Sequence, residues 1–315
     1  MTAEPAGLRH QALVYADEDD FVSCVGTWLR EGLSAGEETL LVAPRPKLSW
    51  LRDELGPEAV AVTLVDATDF SGPLGPVFAG LERMRERHAA AGGGPVRLAA
   101  ELDLHVRAAS SADAFLRWEA AVNVLYADYP ASILCPYDAT RLSDEMLTQA
   151  RATHPDLLEG GRLAPSAGFT DPATFLEGRA RSHPARAAGV SWRLRGPEDL
   201  GEVRRHVRDA ARREGLGEAA GADLALAADE IAANAILHGE PPRSFQIVRD
   251  GADLLCAVRD AGPGPADPLA GFRTPDRRRG DGRGLWLANQ LCDVVEIRAL
   301  PTGAEVVVRM AVPGT

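Results

Sequence analysis

Glu230 and Asn234 stand four residues apart in a helical run and therefore share a helix face. An amide oxygen is a hard, neutral ligand suited to Mg²⁺, and a neighbouring carboxylate can orient or deprotonate a nucleophile. Asp260, ahead of Ala-Gly262-Pro-Gly264, ends an apolar run at a turn. There a carboxylate can accept a hydrogen bond from an exocyclic amine while glycine backbone passes close to a ring, as adenine recognition requires. Gly280, Gly282 and Gly284 then open a helix at Leu285, with Arg277, Arg278, Arg279 and Arg283 beside them. Free N–H groups at such a start suit a triphosphate. Taken singly, each has a plain alternative: a solvated helix face, a turn capped by Asp, an exposed lid. Their order and spacing together read as a nucleotide pocket.

These residues need elements to hold them. A helix is expected over Ala222–His238, with Leu224, Ala227, Ala228, Ile231 and Ala235 on its buried side. An earlier helix opens at Pro197-Glu-Asp199, carries Leu200, Val203, Val207 and Ala210 on one face, and closes at Gly215. Strands are expected at Ser191–Arg195, Ser244–Arg249, Leu254–Asp260, Val294–Ala299 and Ala304–Val312, giving an α+β layer of helices on a mixed sheet.

The first half alternates short apolar runs with helical patterns. Ala12–Tyr15, Thr39–Ala43, Val60–Val65, Val96–Ala100 and Ser132–Leu134 read as five strands of a doubly wound parallel sheet. Phe115, Trp118, Val122, Leu125 and Tyr129 form one apolar helix face. The chain divides into 1–165, a Gly-, Pro- and Arg-rich linker at 166–188 with a short helix near Pro172–Arg181, and 189–315.

Composition narrows the function. A net charge of −12 argues against binding nucleic-acid phosphates directly. No apolar run approaches the roughly 20 residues that cross a bilayer, and no secretory leader precedes the four separated cysteines, so a cytoplasmic chain without disulfides or a zinc knuckle is expected. Lys47 is the only lysine and has no glycines around it, which excludes a Walker A loop and the strand lysine of eukaryotic-type kinases. Phosphates must be held by helix N-termini, Arg or a metal. His10, Glu101, His105 and His154 have metal-ligand chemistry, yet no spacing joins them, and packed histidines are the preferred reading. Cys135, beside Pro136-Tyr137-Asp138, reads as a buried, inert thiol.

The stretches Asp229-Glu230-Ile-Ala-Ala-Asn234-Ala-Ile-Leu-His238-Gly239, Asp260-Ala-Gly-Pro-Gly264 and Gly280-Asp-Gly-Arg-Gly-Leu-Trp-Leu287 resemble the N, G1 and G2 boxes of the GHKL ATPase superfamily. The anti-sigma-factor serine kinase branch is nearest, over about residues 189 to 315. The resemblance implies a Bergerat-type α+β sandwich binding ATP with Mg²⁺. Glu230 would be the general base, Asn234 the Mg²⁺ ligand and Asp260 the adenine anchor. His238, Gly262, Gly264, Gly280, Gly282, Arg283, Gly284 and Leu285 would complete the nucleotide contacts. Where the family often has Gly-Thr on its last strand, with the Thr near adenine, this chain has Gly303-Ala304. The resemblance further implies a sigma factor and a STAS-domain anti-anti-sigma factor as partners, with a serine of the latter phosphorylated, and often a homodimer. A nucleotide-gated partner switch without phosphate transfer is the alternative. A histidine kinase is disfavoured, because His206-Val207-Arg208 lacks the acidic residue that follows an acceptor histidine.

His10-Gln-Ala-Leu-Val-Tyr15, Gly32-Leu-Ser-Ala-Gly-Glu37, Leu134-Cys-Pro-Tyr-Asp138 and His154-Pro155 resemble the methanogen/methylotroph sensory (MEDS) domain. That resemblance implies a RecA-like doubly wound sheet without a phosphate loop, sensing a small molecule of open identity.

Overall fold

A computed structural model of the chain describes residues 7–70, 72–90, 92–102, 109–181, 189–275 and 282–313. It divides into two compact units. One comprises residues 1–71, 80–107 and 115–175; the other comprises 72–79, 108–114 and 176–315.

In the first unit β1 (Arg9–Tyr15), β2 (Glu38–Ala43), β3 (Thr63–Asp66), β4 (Val96–Ala100), β5 (Ala131–Asp138), β6 (Asp156–Glu159) and β7 (Arg162–Pro165) form one sheet in the order β3-β2-β4-β5-β1-β6-β7. All neighbours are parallel except β6 and β7. Helices α1 (Glu18–Ala35), α2 (Arg45–Leu55), α3 (Leu74–Ala90), α4 (Ala109–Leu125) and α5 (Asp144–Thr153) connect the strands. Asp17 caps α1 by accepting a hydrogen bond from the Asp20 N–H, and Ser143 caps α5 from the Met146 N–H. Leu13, Phe21, Val25, Leu29, Leu41, Leu51 and Leu134 close a core in this unit.

The parallel α/β architecture agrees with expectation; two details do not. The sheet has seven strands rather than five, because β6 and β7 are four-residue strands too short to show a period. The strand expected at Val60–Val65 begins only at Thr63, since 56–61 form a 3₁₀ helix with Pro57 in its first turn and Val60 94% exposed. The short helix near Pro172 is present as α6 (Pro172–Arg181).

The second unit holds β8 (Val190–Leu194), α7 (Leu200–Arg213), α8 (Glu218–His238), β9 (Arg243–Asp250), β10 (Asp253–Asp260), α9 (Arg283–Leu291), β11 (Val294–Leu300) and β12 (Gly303–Ala311). The sheet order is β11-β12-β10-β9-β8, and every pairing is antiparallel, where a mixed sheet was expected. Short returns at 251–252 and 301–302 favour hairpins, which are antiparallel by construction. One sheet face, with Phe245, Leu254, Cys256, Val258, Val308 and Met310, joins Val203, Val207, Leu224, Ala228, Ile231 and Ala288 of the helices in a single core. The other carries buried ion pairs, among them Arg309 Nε on Glu296 at 3.0 Å. Alanines at 225, 227, 228, 232 and 235 let α8 pack closely between α7 and α9. This alignment of α8 and α9 builds the candidate site.

Candidate functional site

Leu224, Ala228 and Ile231 hold α8 down on the core, so Glu230 and Asn234 lie half-buried on the helix flank. Among the described residues neither Glu230 nor Asn234 has a hydrogen-bond partner, leaving both side chains available to a ligand. Arg204 on α7 fixes the residue before them, its Nη1 lying 2.9 Å from both carboxylate oxygens of Asp229.

Helix α9 starts directly against this pair. Gly282 is its N-cap in the left-handed region, φ 78°, and Gly284 is buried in the first turn. A Cβ on Gly284 would sit 2.7 Å from Asn234 Nδ2 and 2.9 Å from Glu230 Oε2, so glycine leaves both side-chain ends room beside the start of α9. The start of α9 is thus brought to a carboxylate and an amide. At the other end of α9, Asn289 Nδ2 donates to the Gly271 carbonyl at 3.1 Å and so fixes the chain beyond the G1 turn.

Asp260 ends β10. Its Oδ1 accepts hydrogen bonds from the Gly262 N–H at 2.7 Å and the Glu240 N–H at 3.3 Å, and the Ala261 N–H donates back to the Glu240 carbonyl at 2.9 Å. One carboxylate oxygen therefore ties the G1 turn to the segment leaving α8. Gly264 (φ 76°) folds the turn back until a Cβ there would meet the Ala304 Cβ at 2.9 Å, and Ala304 faces Asp260 across the β10–β12 pair. The Ala304 methyl is buried at this point.

The structure thus gathers Glu230, Asn234 and Gly284 at one point, and Asp260, Gly262 and Gly264 in one turn. Gly282, Arg283 and Leu285 lie in the α9 start, and His238 is exposed at the end of α8. Gly280, with Arg277, Arg278 and Arg279, lies outside the described residues, as does His105. Residues not singled out from sequence include Arg204, Glu240 and Asn289. Their contributions are a distant ion pair, a backbone group and a side chain-to-carbonyl bond, none with a sequence signature.

The donor set fits Mg-ATP: an unspent amide and carboxylate beside the start of a helix. Asn234 would hold the cation, the α9 start the phosphates and Asp260 the base.

His206 is not presented as a phospho-acceptor. Its ring stacks on Trp192 with centroids 4.4 Å apart and planes 20° from parallel. Lys47 is turned inward, its Nζ bonded to Tyr15 Oη and Glu101, so it is spent on packing. Glu101 accordingly stands apart from His10 and His154, which instead meet Glu119 and Cys135. Burial and the Glu119 carboxylate push the Cys135 thiol well above its usual range.

Comparison with known proteins agrees with this geometry at the level of domains. Residues 195–311 match the model of the histidine kinase-like ATPase domain, which defines the class of the second unit. Residues 9–155 match the MEthanogen/methylotroph, DcmR Sensory (MEDS) domain. The chain therefore carries a MEDS domain followed by a histidine kinase-like ATPase domain, the architecture of a sensor-linked, kinase-like regulator. No curated protein matches it. Among solved structures, it is similar to the histidine kinase domain of the blue-light activated histidine kinase of Erythrobacter litoralis EL346, at 13% identity and a TM-score of 0.26 over 63% of this chain and 82% of that one. It is also similar to the cytoplasmic domain of EssC, at 10% identity and a TM-score of 0.30 over 60% and 39%. Neither similarity bears on the site. Among the described residues no helix is long and apolar enough to cross a membrane.

Proposed function

We propose that the chain is a sensor-coupled anti-sigma regulatory factor that binds Mg-ATP, sequesters a sigma factor and phosphorylates a serine of a STAS-domain anti-anti-sigma factor in the cytoplasm. The observation that carries this reading is the contact of Gly284 with Asn234 and Glu230, which sets a general-base candidate and a cation ligand against a helix N-terminus. Bound Mg-ATP would supply the phosphoryl group and the cation that offsets its charge. Asn234 holds the cation in place. Glu230 accepts the serine proton, and the α9 N–H groups stabilise the oxygens on which charge builds. Asp260 selects adenine through its exocyclic amine. A small molecule bound by the MEDS domain is the input, and a homodimer is the expected assembly.

A second reading is favoured by one observation. Ala304, buried beside Gly264, offers no hydroxyl to the base, which suits a nucleotide-gated partner switch that transfers nothing. Intact-mass analysis separates the two: STAS-domain proteins of the host are each incubated with the chain and Mg-ATP. A phosphate adduct that Asn234→Ala abolishes supports the kinase and names the antagonist. ATP binding with no adduct on any of them leaves the switch.

A further inference from the structure

Within the first unit four residues from four separate elements converge: His10 on β1, Glu119 on α4, Cys135 on β5 and His154 just past α5. All four are buried, His10 at 1% exposure and His154 at 0%. Glu119 Oε2 lies 3.0 Å from His10 Nε2 and 3.2 Å from His154 Nε2, and Cys135 Sγ lies 3.6 Å from His10 Nε2 and 3.5 Å from Glu119 Oε2. All of these ligand-type atoms are within 4.8 Å of one another.

The hydrogen bonds behind the cluster fix the state of the imidazoles. His154 Nδ1 is 2.8 Å from the Ala150 carbonyl, which only accepts, so that nitrogen carries the proton. His10 Nδ1 is 3.1 Å from Asn123 Oδ1. Asn123 Nδ2 is committed to the carbonyls of Glu119, Ala120 and Thr153, at 3.2, 3.3 and 2.8 Å, so its oxygen must face His10 and accept. With Nδ1 carrying the proton, each ring in its neutral form aims an Nε2 lone pair at the Glu119 carboxylate. His154 Nε2, although 3.2 Å from Glu119, makes no hydrogen bond at all. The single Cys135 S–H can serve either Glu119 Oε2 or His10 Nε2, and in both cases His154 Nε2 stays unmatched. Protonating both rings would bury two cations with centroids 4.1 Å apart against one carboxylate, a costly arrangement.

We infer that this cluster is a closed zinc site with His10 Nε2, His154 Nε2, Glu119 Oε2 and Cys135 Sγ as its four ligands. Tetrahedral Zn²⁺ with bonds of about 2.0–2.1 Å to N and O and about 2.3 Å to S requires ligand edges of about 3.3 Å and about 3.6 Å. The edges of 3.0, 3.2, 3.5 and 3.6 Å that meet Glu119 Oε2 and join His10 to Cys135 fall around those values, and the remaining two lie within 4.8 Å. Charge closes as well, since one dication meets one carboxylate and one thiolate, the thiol proton leaving to solvent as the ion binds. The Nδ1–H bonds to Ala150 and Asn123 are the outer contacts that orient ligating histidines. With four protein ligands and no open position the ion is structural, tying β1, β5, α4 and the end of α5 together. Glu101 and the other carboxylates take no part.

The test is metal analysis of the full chain purified from zinc-supplemented medium, together with absorption spectra after exchange into Co²⁺. About one zinc per chain, and a thiolate-to-cobalt charge-transfer band lost in Cys135→Ser, is the expected result. Less than a tenth of an equivalent of zinc and no thiolate band in the folded wild-type chain overturns the site, as does a Cys135→Ser chain that keeps that band. Because wild type supplies the first readout, variants that fail to fold do not protect the proposal. Glu101→Gln, outside the cluster, should keep its full zinc content.

Discussion

The backbone of Gly284 lies against Asn234 so closely that a methyl group there would stand 2.7 Å from the amide nitrogen. One glycine therefore leaves room for the Asn234 and Glu230 side-chain ends at the start of α9. Gly284→Ala should leave the fold intact, because alanine is the better helix former and those flexible ends can turn aside. Turning aside takes the amide and the carboxylate out of the proposed site. Mg-ATP affinity should fall about tenfold or more, about 1.4 kcal/mol, as read by calorimetry; unchanged affinity would contradict the proposed role of the approach.

Asp260 spends one carboxylate oxygen on the turn and leaves the other for the adenine contact proposed above. Oδ1 is spent on the Gly262 and Glu240 N–H groups, so in Asp260→Asn the amide oxygen must stay there and the NH₂ must face the base. That variant should melt within a few degrees of wild type yet lose most adenine binding, since a donor then meets a donor. Asp260→Ala should lose both, with a stability cost of roughly 1–3 kcal/mol for the unsatisfied N–H groups. Thermal melts with and without ATP distinguish the two.

The stacked pair His206 and Trp192 predicts a structural histidine. His206→Ala should cost about 1 kcal/mol of stability by denaturant titration and leave any phosphotransfer unaltered. Acid-labile phosphate on the chain that disappears in this variant would support a histidine kinase instead.

Lys47 predicts a comparable separation of stability from binding. Its ammonium serves Glu101 and Tyr15 inside the first unit, so Lys47→Met leaves a buried carboxylate unpaired, at a cost of roughly 3–5 kcal/mol. Burial already pushes the Glu101 carboxyl upward, even against Lys47. A folded-state pKa above the unfolded value makes folding more favourable as pH falls, so the variant's deficit should shrink in acid. Urea titrations from neutral to mildly acidic pH measure this, while Mg-ATP affinity should not change.

Much of the second unit could be read from sequence because its signals are local. The apolar spacing of Leu224, Ala228 and Ile231 fixes which face of α8 is buried, and hence that Glu230 and Asn234 share the other flank. The strands around the returns at 251 and 301 were legible, but their hairpin pairing, with Gly251 and Gly303 at the turns, was not, since a mixed sheet was expected. What sequence left out is non-local. The contact of Gly284 with Glu230 joins residues 54 positions apart, and the G1 turn is held by the Glu240 backbone, which has no residue-type signature.

In the first unit His10 and His154 were recognisable as ligand-type residues, but the companions suggested by sequence were Glu101 and His105. The fold pairs Glu101 with Lys47, while Glu119 and Cys135 face the histidines. Glu119 was masked by the apolar run of α4, where Trp118, Ala120, Ala121 and Val122 dominate the pattern. Cys135 reads as an ordinary buried strand residue until β5 is set beside β1. Exposed Val60 fooled the strand assignment because β-branched composition carries no information about which side faces water.

Titration calorimetry of Mg-ATP into the full chain and into Asn234→Ala decides whether this pocket binds the nucleotide. A single saturable site in wild type, weakened when Mg²⁺ is withheld and abolished by the substitution, is the expected result. Equal affinity in the two proteins, or no binding heat in wild type with Mg²⁺ present, would contradict nucleotide binding at Asn234.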